Sequence, residues 1–235
     1  MSENIFDYLR SNPYPGRGIL LGGSPDAKNA VIAYFIMGRS ENSRNRVFIE
    51  DGNDLRTKAF DPAKLSDPSL VIYRAVADCG KITIVTNGDQ TDTAVDFMDS
   101  GKTFEDAMRT REFEPDGPNY TPRISGIVNE DGAYKLSILK CGGGNVCDRF
   151  FFEYGALRSG VGHFISTYKT AGDPLPSFAG EPIEVSLPYV GAAELASMLW
   201  NSLNEQNRVS LFVRYINLET GGSESAIINR HEETL

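Results

Sequence analysis

The chain consists mainly of short apolar runs separated by turn residues, and this pattern limits the folds that it can adopt. The runs "GILLGG", "AVIAYFIMG", "RVFIE", "LVIYRAV" and "KITIVTNG" follow one another in the first 88 residues. Each run contains β-branched or aromatic residues and is bounded by Gly, Asn, Asp or Pro, as is typical of strands joined by turns. The same pattern returns in "RISGIVN", "AYKLSILK", "RFFFEY", "GHFISTYKT", "EPIEVSLP" and "RVSLFVRYINL".

Helical patterns are fewer and lie among the strand-like runs. Residues 3–11 predict a short helix that ends before Pro13. The segment "TDTAVDFMDSG" predicts a second helix, closed by Gly101. In "TFEDAMRTREF", Thr103 and Asp106 have the spacing of a capping box, and the acids precede the arginines, as the helix dipole favours. A further helix is predicted for "AAELASMLWNSLN", in which one face carries Ala192, Leu195, Ala196, Leu199 and Leu203.

The order of these elements predicts an α+β fold. Helices that come in a group between long runs of strands indicate antiparallel sheets with helices on the outside, rather than strict βαβ alternation. Two stacked sheets covered by helices would suit this content, although periodicity alone leaves a two-layer α+β arrangement open. The 235 residues contain no linker rich in Pro, Gly or Ser, so we predict a single domain over residues 1–235. The polar tail, residues 219–235, is expected to be weakly ordered.

Composition and charge argue against several classes of protein. The net charge is −9 and the isoelectric point is about 4.8, so we expect no binding to nucleic acid. The apolar run "AVIAYFIM" has eight residues, far short of the ~20 that a transmembrane helix needs, so no membrane partner is expected. The N-terminus lacks a basic patch followed by an apolar run, so we expect no secretion signal and a cytoplasmic location.

Cysteine and histidine offer little catalytic chemistry in this sequence. Cys79, Cys141 and Cys147 form an odd set, and the spacing in "CGGGNVC" differs from that of structural zinc sites. We expect them to be reduced, with a redox or metal role as the alternative. His163 lies in a strand-like run, where we expect a structural role, and His231 lies in the tail. Acid–base chemistry would therefore use Tyr, Asp, Glu, Lys or Arg.

Two polar segments in the first half of the chain could contribute to a site. "MGRSENSRNR" places Arg39, Arg44 and Arg46 close together, and their planar guanidinium groups suit the oxygens of a phosphate. The alternative is a solvated hairpin end. "VTNGDQTD" joins a strand to a helix, so its backbone N–H groups could bind an anionic or carbonyl oxygen, or serve only to cap the helix.

A third polar segment, "EPDGPNYTPRIS", is a loop stiffened by prolines. It presents side chains of several kinds, namely Glu114, Asp116, Asn119, Tyr120 and Arg123. Stiffness reduces the conformational entropy that is lost when such groups hold a ligand. The alternatives are that Tyr120 packs under its own loop and that Tyr73, in "VIYRAV", is a half-buried structural residue.

These motifs, in this order and at this spacing, resemble the archaeal-type inosine-monophosphate (IMP) cyclohydrolases and their bacterial relatives. The similarity lies in "GRSENSRNR", "TNGDQTD" and "PNYTPRI", and in "TYKTAGDPLPSFAGEP", which spans Thr167 to Pro182. It covers residues from about Gly16 to Leu218. The chain departs from the family in about 15 additional residues before "GRGILLGG". This N-terminal extension, residues 1–15, precedes a cyclohydrolase-like core over residues 16–218 and could cover the site or mediate association.

The resemblance implies a fold, a reaction and a substrate class. The fold would be a four-layer αββα sandwich of two antiparallel sheets, similar to that of N-terminal-nucleophile hydrolases. The reaction would be closure of 5-formamidoimidazole-4-carboxamide ribotide (FAICAR) to IMP with loss of water, the last step of purine biosynthesis. The expected partners are purine ribotides, namely FAICAR, IMP and the unformylated AICAR, and no metal or organic cofactor is implied. The number of subunits stays open, and a homo-oligomer is compatible with the sequence.

Site residues are carried over from the resemblance motif by motif. The catalytic set would be Glu114, Tyr73, Arg39 and Asn87, and the substrate-binding set would be Arg44, Arg46, Gly88, Asp116, Asn119, Tyr120, Thr121 and Arg123. Within these sets, Glu114 would shuttle protons, with Asp116 as its rival, and Tyr73 would donate to the oxyanion. The arginines near residue 40 are candidates for phosphate or oxyanion contacts. Asn87 and Gly88 would orient the formyl or carboxamide group.

Two other functions are open from the sequence. A non-catalytic purine-ribotide sensor or assembly partner could use the same fold. An amide hydrolase of the broader fold is a second alternative, which the absence of an N-terminal nucleophile disfavours.

Overall fold

The computed structural model describes residues 2–232, over which it contains five α-helices and thirteen strands. The helices are α1 (Ile5–Ser11), α2 (Glu41–Arg44), α3 (Gln90–Asp99), α4 (Phe104–Arg109) and α5 (Ala192–Ser202). The strands are β1 (Arg17–Gly23), β2 (Asn29–Met37), β3 (Arg46–Asp51), β4 (Asp54–Ala59), β5 (Arg74–Cys79), β6 (Ile82–Thr86), β7 (Arg123–Val128), β8 (Tyr134–Cys141), β9 (Cys147–Tyr154), β10 (Val161–Ser166), β11 (Ile183–Ser186), β12 (Arg208–Asn217) and β13 (Ser223–Asn229). Over this range no helix is long and apolar enough to cross a membrane.

One sheet has six strands in the order β11-β10-β1-β2-β12-β13, and neighbouring strands are antiparallel. Its strand β2 is buried on both faces. Val31, Ala33 and Phe35 belong to one apolar cluster, and Ile32 and Tyr34 belong to another on the opposite face, as the two-residue period of a strand requires. A strand that is apolar on both faces needs cover on both sides.

The second sheet has seven strands that follow chain order from β3 to β9, each antiparallel to the next. The predicted helices α3 and α4 lie in the connection between β6 and β7. The capping box of Thr103 and Asp106 at the start of α4 is confirmed. The sequence did not predict β4, because "DLRTKA" alternates polar and apolar residues and contains no apolar run.

The two sheets stack face to face, and helices cover their outer faces. Between the sheets, one apolar cluster joins Ile19 and Ile32 of the first sheet to Phe48, Val85 and Leu136 of the second. The helices α1 and α5 cover the first sheet, and α3 and α4 cover the second. The structure is therefore a four-layer αββα sandwich, which confirms the predicted α+β class. The likeness to N-terminal-nucleophile hydrolases stays a prediction.

The expectation of a weakly ordered tail is wrong for a large part of residues 219–235. Ser223–Asn229 form β13, which pairs with β12 along its whole length. The buried side chain of Asn229 accepts a hydrogen bond from the N–H of Phe48 at 2.8 Å and donates to its carbonyl at 3.0 Å. This contact joins an edge strand of one sheet to an edge strand of the other. The polar composition of the segment gave no indication of a strand here. Residues 233–235 of the predicted tail lie outside the described residues.

The N-terminal extension is packed onto the body of the protein. Ile5, Phe6 and Leu9 of α1 are buried in the apolar cluster that includes α5. Ahead of the helix, Glu3 pairs with Val185 of β11, so the extension also shields an edge strand. The division of residues 1–235 into extension, core and tail within a single domain stays a prediction.

Replacing Leu9 with alanine should destabilise the protein, because the Leu9 side chain, on the inner face of α1, is fully buried. Removing a buried leucine side chain typically lowers the free energy of unfolding by about 2–5 kcal/mol. Urea denaturation followed by circular dichroism measures this change. Arg10→Ala, at an exposed position of the same helix, should change the free energy of unfolding by less than about 0.5 kcal/mol. Equal stability of the two variants would show that α1 does not contribute to the core.

Candidate functional site

A cluster of buried polar side chains interrupts the apolar layer between the sheets. Arg17 begins β1, Tyr34 lies in β2, Arg46 begins β3, and Tyr73 directly precedes β5. All four residues are at most 9% exposed. The hydroxyl oxygens of Tyr34 and Tyr73 are 2.7 Å apart. Stacking of the two sheets thus brings together side chains that lie far apart in the sequence.

Arg46 is fully buried and has hydrogen-bond donors that are not used. Its Nε donates to the carbonyl of Ser43 at 2.9 Å, whereas Nη1 and Nη2 have no hydrogen-bond partner among residues 2–232. Nε of Arg17 is also buried without a hydrogen-bond partner among these residues. Burial lowers the pKa of Arg46, and the positive charge of Arg17 acts in the same direction. Because buried donors without acceptors are costly, these groups indicate a place for an anionic or carbonyl oxygen of a ligand.

Glu114 supplies a buried carboxyl group to the cluster. Its Oε2 lies 3.6 Å from Nη2 of Arg17, and its side chain is 2% exposed. Burial raises the pKa of Glu114 above its usual value, although the charges of Arg17 and Arg123 oppose the shift. The N–H of Glu114 donates to the carbonyl of Thr121 at 2.8 Å, which fixes the base of the proline-rich loop. A carboxyl group in such surroundings is suited to taking up and returning a proton.

Arg123 is also buried, but its guanidinium group is paired. Its Nη1 lies 2.7 Å from Oδ1 of Asp89 and 2.6 Å from Oε1 of Gln90. Asp89 pairs with Arg111 as well. A Cβ at Gly88 would lie 2.5 Å from Nη1 of Arg123, so this close approach requires a residue without a side chain. The start of α3 and the end of the proline-rich loop are therefore held together at the site.

The amide of Asn87 is occupied by hydrogen bonds within the protein. Its Oδ1 accepts from the N–H of Ile124 at 2.8 Å and from Nε2 of Gln90 at 3.0 Å. Its Nδ2 donates to the carbonyl of Pro122 at 3.0 Å. Asn87 thus lies behind the loop and anchors it. Its predicted catalytic role stays a prediction, and the geometry favours a positioning role.

Asp116 and Thr121 hold the proline-rich loop in shape. The carboxylate of Asp116 accepts from the N–H of Thr121 at 2.6 Å and also from the Thr121 hydroxyl group. The same hydroxyl group contacts the hydroxyl group of the buried Tyr168. The carboxylate of Asp116 therefore holds the loop, whereas that of Glu114 lies among the buried arginines. This difference favours Glu114 over Asp116 as the proton shuttle.

The tip of the same loop contacts the segment that follows β10. Oδ1 of Asn119 accepts from the N–H of Leu175 at 3.0 Å. Tyr120 has a φ of 44°, in the left-handed region, and its ring meets that of Phe113 edge-on at 5.5 Å. Both residues therefore lie beside the cluster, and their predicted substrate contacts stay predictions.

Arg39 lies at the exposed rim of the cluster. Its guanidinium carbon is 5.0 Å from the centre of the Tyr14 ring, and its Nη1 donates to the carbonyl of Gly172 at 3.1 Å. The Tyr14 ring stacks on that of Tyr168, with centres 6.0 Å apart. Since Tyr168 contacts Thr121, Arg39 is joined to the loop through a chain of aromatic rings. A guanidinium group at an exposed rim can meet a charged ligand before it is buried.

Arg44 lies outside the cluster, although only one residue separates it from Arg46. Its Nε donates to the carbonyl of Gly38 at 2.8 Å, and its Nη2 lies 3.3 Å from Oδ1 of Asn207. Arg44 instead lines a surface groove with Phe60. Its predicted contact with substrate stays a prediction that the geometry does not favour.

The sequence analysis missed Arg17, Tyr34 and Tyr168. Arg17 directly precedes the apolar run of β1. A charged residue at that position is expected in a turn, so the sequence did not indicate that Arg17 is buried. The hydroxyl group of Tyr34 is hidden in the apolar run "AVIAYFIM". Tyr168 lies within "TYKTAGDPLPSFAGEP", which carries part of the resemblance and was the one available signal.

A surface groove lies away from this cluster. It has a volume of about 620 Å³, adjoins the start of α5, and is lined in part by Asp26, Glu194, Tyr215 and Glu224. The buried cluster is the better candidate, because it combines unpartnered guanidinium nitrogens with a buried carboxyl group. Within residues 2–232, no group of three or more His, Cys, Asp or Glu side chains is arranged to hold a metal ion.

These features define a class of protein, namely a four-layer αββα sandwich with a buried cluster of arginine, tyrosine and glutamate side chains between its sheets. The chain belongs to the IMP cyclohydrolase-like protein family, whose profile matches residues 14–222. The resemblance inferred from the polar motifs is thereby confirmed. The match begins just before β1 and excludes α1.

Curated relatives of this chain are archaeal proteins named IMP cyclohydrolase. The protein of Methanococcus maripaludis is 30% identical over 184 residues, which cover 75% of this chain and 87% of the relative. That of Methanosphaera stadtmanae is 26% identical over 197 residues, covering 80% and 85%. That of Methanopyrus kandleri is 26% identical over 160 residues, covering 66% and 75%.

Replacing Arg46 with methionine should raise the stability of the protein and abolish anion binding. An apolar side chain of similar size removes a buried charge without partners, so we expect the free energy of unfolding to rise by about 1–4 kcal/mol. Inorganic phosphate should raise the melting temperature of the parent protein but not that of Arg46→Met. The matched control, Arg44→Met, should keep the phosphate effect. A phosphate effect retained in Arg46→Met would contradict phosphate binding at the Arg46 nitrogens and would leave the rim, where Arg39 lies, as its binding place.

Proposed function

We propose that this chain is an IMP cyclohydrolase, which closes FAICAR to IMP with loss of water in the last step of purine biosynthesis. Membership of the family and the names of the archaeal relatives support this proposal. The structural observation that carries it is the buried carboxyl group of Glu114 beside Arg17, next to the unpartnered guanidinium of Arg46. A cytoplasmic location, as expected from the sequence, forms part of the proposal.

Ring closure places three demands on the protein. The carboxamide nitrogen is a poor nucleophile, so a base must take its proton as it attacks the formyl carbon. The formyl oxygen gains negative charge in this step and needs hydrogen-bond donors that are already in place. The oxyanion must then take up that proton to give a hydroxyl group, which leaves as water with the proton that the formamide nitrogen loses as the C=N bond forms. Both reacting groups belong to one substrate, so holding them in contact supplies part of the acceleration.

Glu114 is suited to the proton transfers. In its ionised form it takes a proton from the carboxamide nitrogen, and in its protonated form it returns that proton to the oxyanion, which becomes a hydroxyl group. In the same way it can move the proton of the formamide N–H to the departing hydroxyl group, so that water and a C=N bond form. Burial raises the pKa of Glu114 and so favours its protonated form, and the charge of Arg17 opposes this shift. One residue can therefore serve as base and then as acid.

Arg46 and Tyr73 are suited to holding the developing oxyanion. Two nitrogens of the Arg46 guanidinium are buried without acceptors. The hydroxyl group of Tyr73 is 2.7 Å from that of Tyr34, so one of the two can donate to the other while that partner donates to the substrate. These donors are fixed by the packing of both sheets. They need little rearrangement when charge develops.

The rim of the cluster is suited to the ribose phosphate of the ribotide. Arg39 is exposed there, and its guanidinium fork matches the oxygens of a phosphate group. Asn119 and Tyr120 lie at the tip of the proline-rich loop on the same side. We assign positioning roles to Asn87 and Arg123, which hold this loop in place.

Glu114→Gln should lower kcat by a factor of about 10²–10⁴, because the amide cannot exchange a proton. Loss of FAICAR and the appearance of IMP absorbance measure the reaction. The matched control is Glu112→Gln, which changes an exposed carboxylate two residues earlier and should leave kcat unchanged. Full activity in both Glu114→Gln and Tyr73→Phe would show that the active site is placed wrongly.

The pH dependence of kcat/KM should show the titration of the Glu114 carboxyl group. As a base, Glu114 must be ionised in the free enzyme, so activity is lost as the pH falls through its pKa. Because burial raises that pKa, the acidic limb should lie above the ordinary glutamate value of 4.5. The limb should be absent from the residual activity of Glu114→Gln. An unchanged limb in that variant would assign the titration to another group.

A non-catalytic purine-ribotide sensor on this fold predicts a different result. It would bind AICAR or IMP tightly but would not convert FAICAR at any pH. Thermal-shift measurements with AICAR, IMP and unrelated nucleotides test the class of ligand. The turnover assay then distinguishes the enzyme from the sensor.

A further inference from the structure

A pair of cysteines lies at the end of the hairpin formed by β8 and β9. Cys141 is the last residue of β8, Cys147 is the first residue of β9, and the register places them directly opposite each other. Residues opposite each other on antiparallel strands point to the same face of the sheet. The two side chains therefore lie next to each other, on the face that α4 covers.

The hydrogen-bond pattern of the hairpin brings the two side chains closer still. The N–H of Gly142 donates to the carbonyl of Val146 at 2.7 Å, so these two residues form a hydrogen-bonded pair. Hydrogen-bonded and non-hydrogen-bonded pairs alternate along antiparallel strands, so Cys141 and Cys147 form a non-hydrogen-bonded pair. Cα atoms in such pairs are about 4.5 Å apart, within the range of about 4.4–6.8 Å that disulfides span.

The turn between the two strands can absorb a small change in twist. Its sequence is "GGGNV", and Gly144 has a φ of 69°, in the left-handed region. Glycine adopts this conformation without a steric penalty. Closing a bond across the base of this turn therefore needs little change elsewhere in the sheet.

We propose that Cys141 and Cys147 form a modification site, at which a small-molecule disulfide such as oxidised glutathione converts the two thiols to an intramolecular disulfide. Cys141 is the more exposed of the two and attacks first. Its thiolate displaces one glutathione thiolate and forms a mixed disulfide. The thiolate of Cys147 then attacks the Cys141 sulfur and releases the second glutathione. Two protein thiols are oxidised and one glutathione disulfide is reduced to two thiols.

The pair is linked to Glu114 through the backbone. Cys147 is 9% exposed and packs with Phe113. Phe113, which packs against the apolar cluster that contains Cys147, directly precedes Glu114. The neighbouring Arg149 holds the carbonyls of Cys147 and Arg111 at 3.1 and 2.8 Å. A disulfide draws the Cys147 sulfur towards Cys141 and away from Phe113, so it displaces the segment that positions Glu114.

This link to activity rests on the proposed cyclohydrolase function, whereas the disulfide itself does not. A displacement of a catalytic group by about 1 Å can lower the rate by a factor of about 10². Oxidised protein should therefore show a loss of kcat of about tenfold to a hundredfold, and dithiothreitol should restore it.

Peptide mass spectrometry tests the site directly. The full chain is reduced, treated with oxidised glutathione, alkylated and digested with trypsin. Cleavage after Lys140 and after Arg149 releases the peptide "CGGGNVCDR", which contains both cysteines. We expect this peptide to lack two hydrogen atoms and both alkyl groups, and to accept two alkyl groups after reduction. Alkylation of both cysteines in the oxidised sample, or a disulfide between two chains, would overturn the site.

Serine variants supply the controls. Cys141→Ser should abolish the disulfide and keep its kcat in oxidised glutathione. Cys79→Ser, at the third cysteine of the chain, should still form the disulfide and lose activity on oxidation. A disulfide-bonded protein with full kcat would overturn the link to Glu114. If the reduced chain does not convert FAICAR, the proposed function fails, and the peptide result still decides the site.

Discussion

The structure depends on the burial of strands that are apolar on both faces. Successive side chains of β2 point alternately into two apolar clusters, one between the sheets and one under the helices. Neither face can be left to water without exposing a large apolar area. The second sheet covers one face, and α1 and α5 cover the other. The four-layer arrangement, the buried position of the site and the packing of the N-terminal extension all follow from this requirement.

The polar cluster is an exception to that apolar layer, and it opposes stability. Arg46 is fully buried, with two nitrogens that find no acceptor among the described residues. Groups of this kind persist when they serve a ligand, because the ligand supplies the missing acceptor. Arg123 shows the contrast, since Asp89 and Gln90 satisfy its guanidinium group within the protein. The two buried arginines therefore differ, because Arg123 is satisfied within the protein and holds a loop, whereas Arg46 keeps two nitrogens without an acceptor.

The proline-rich loop connects the cluster to the rest of the second sheet. Its base is held by Glu114 and Thr121, its interior by Asp116, and its end by Asn87 from the start of the same β6–β7 connection. On the opposite side, Phe113 leads to Cys147 and the hairpin of β8 and β9. The segment that carries Glu114 is therefore held by hydrogen bonds from several elements, whereas its carboxyl group contacts Arg17 at 3.6 Å.

Sequence alone determined the α+β class, the helices other than α2, most strands and the family, because apolar periodicity and turn residues are local properties. It also pointed to Glu114, Arg46 and Arg123, whose motifs stand out in polar segments. It could not separate Arg44 from Arg46, since the direction of each side chain depends on how α2 meets β3. It passed over Arg17 and Tyr34, because their role arises only when β1 and β2 stack on the second sheet. Likewise β13 is polar in sequence and becomes ordered through its pairing with β12 and the contact of Asn229 with Phe48. Tertiary structure decided these features, because contacts between distant segments leave no periodic pattern in the chain.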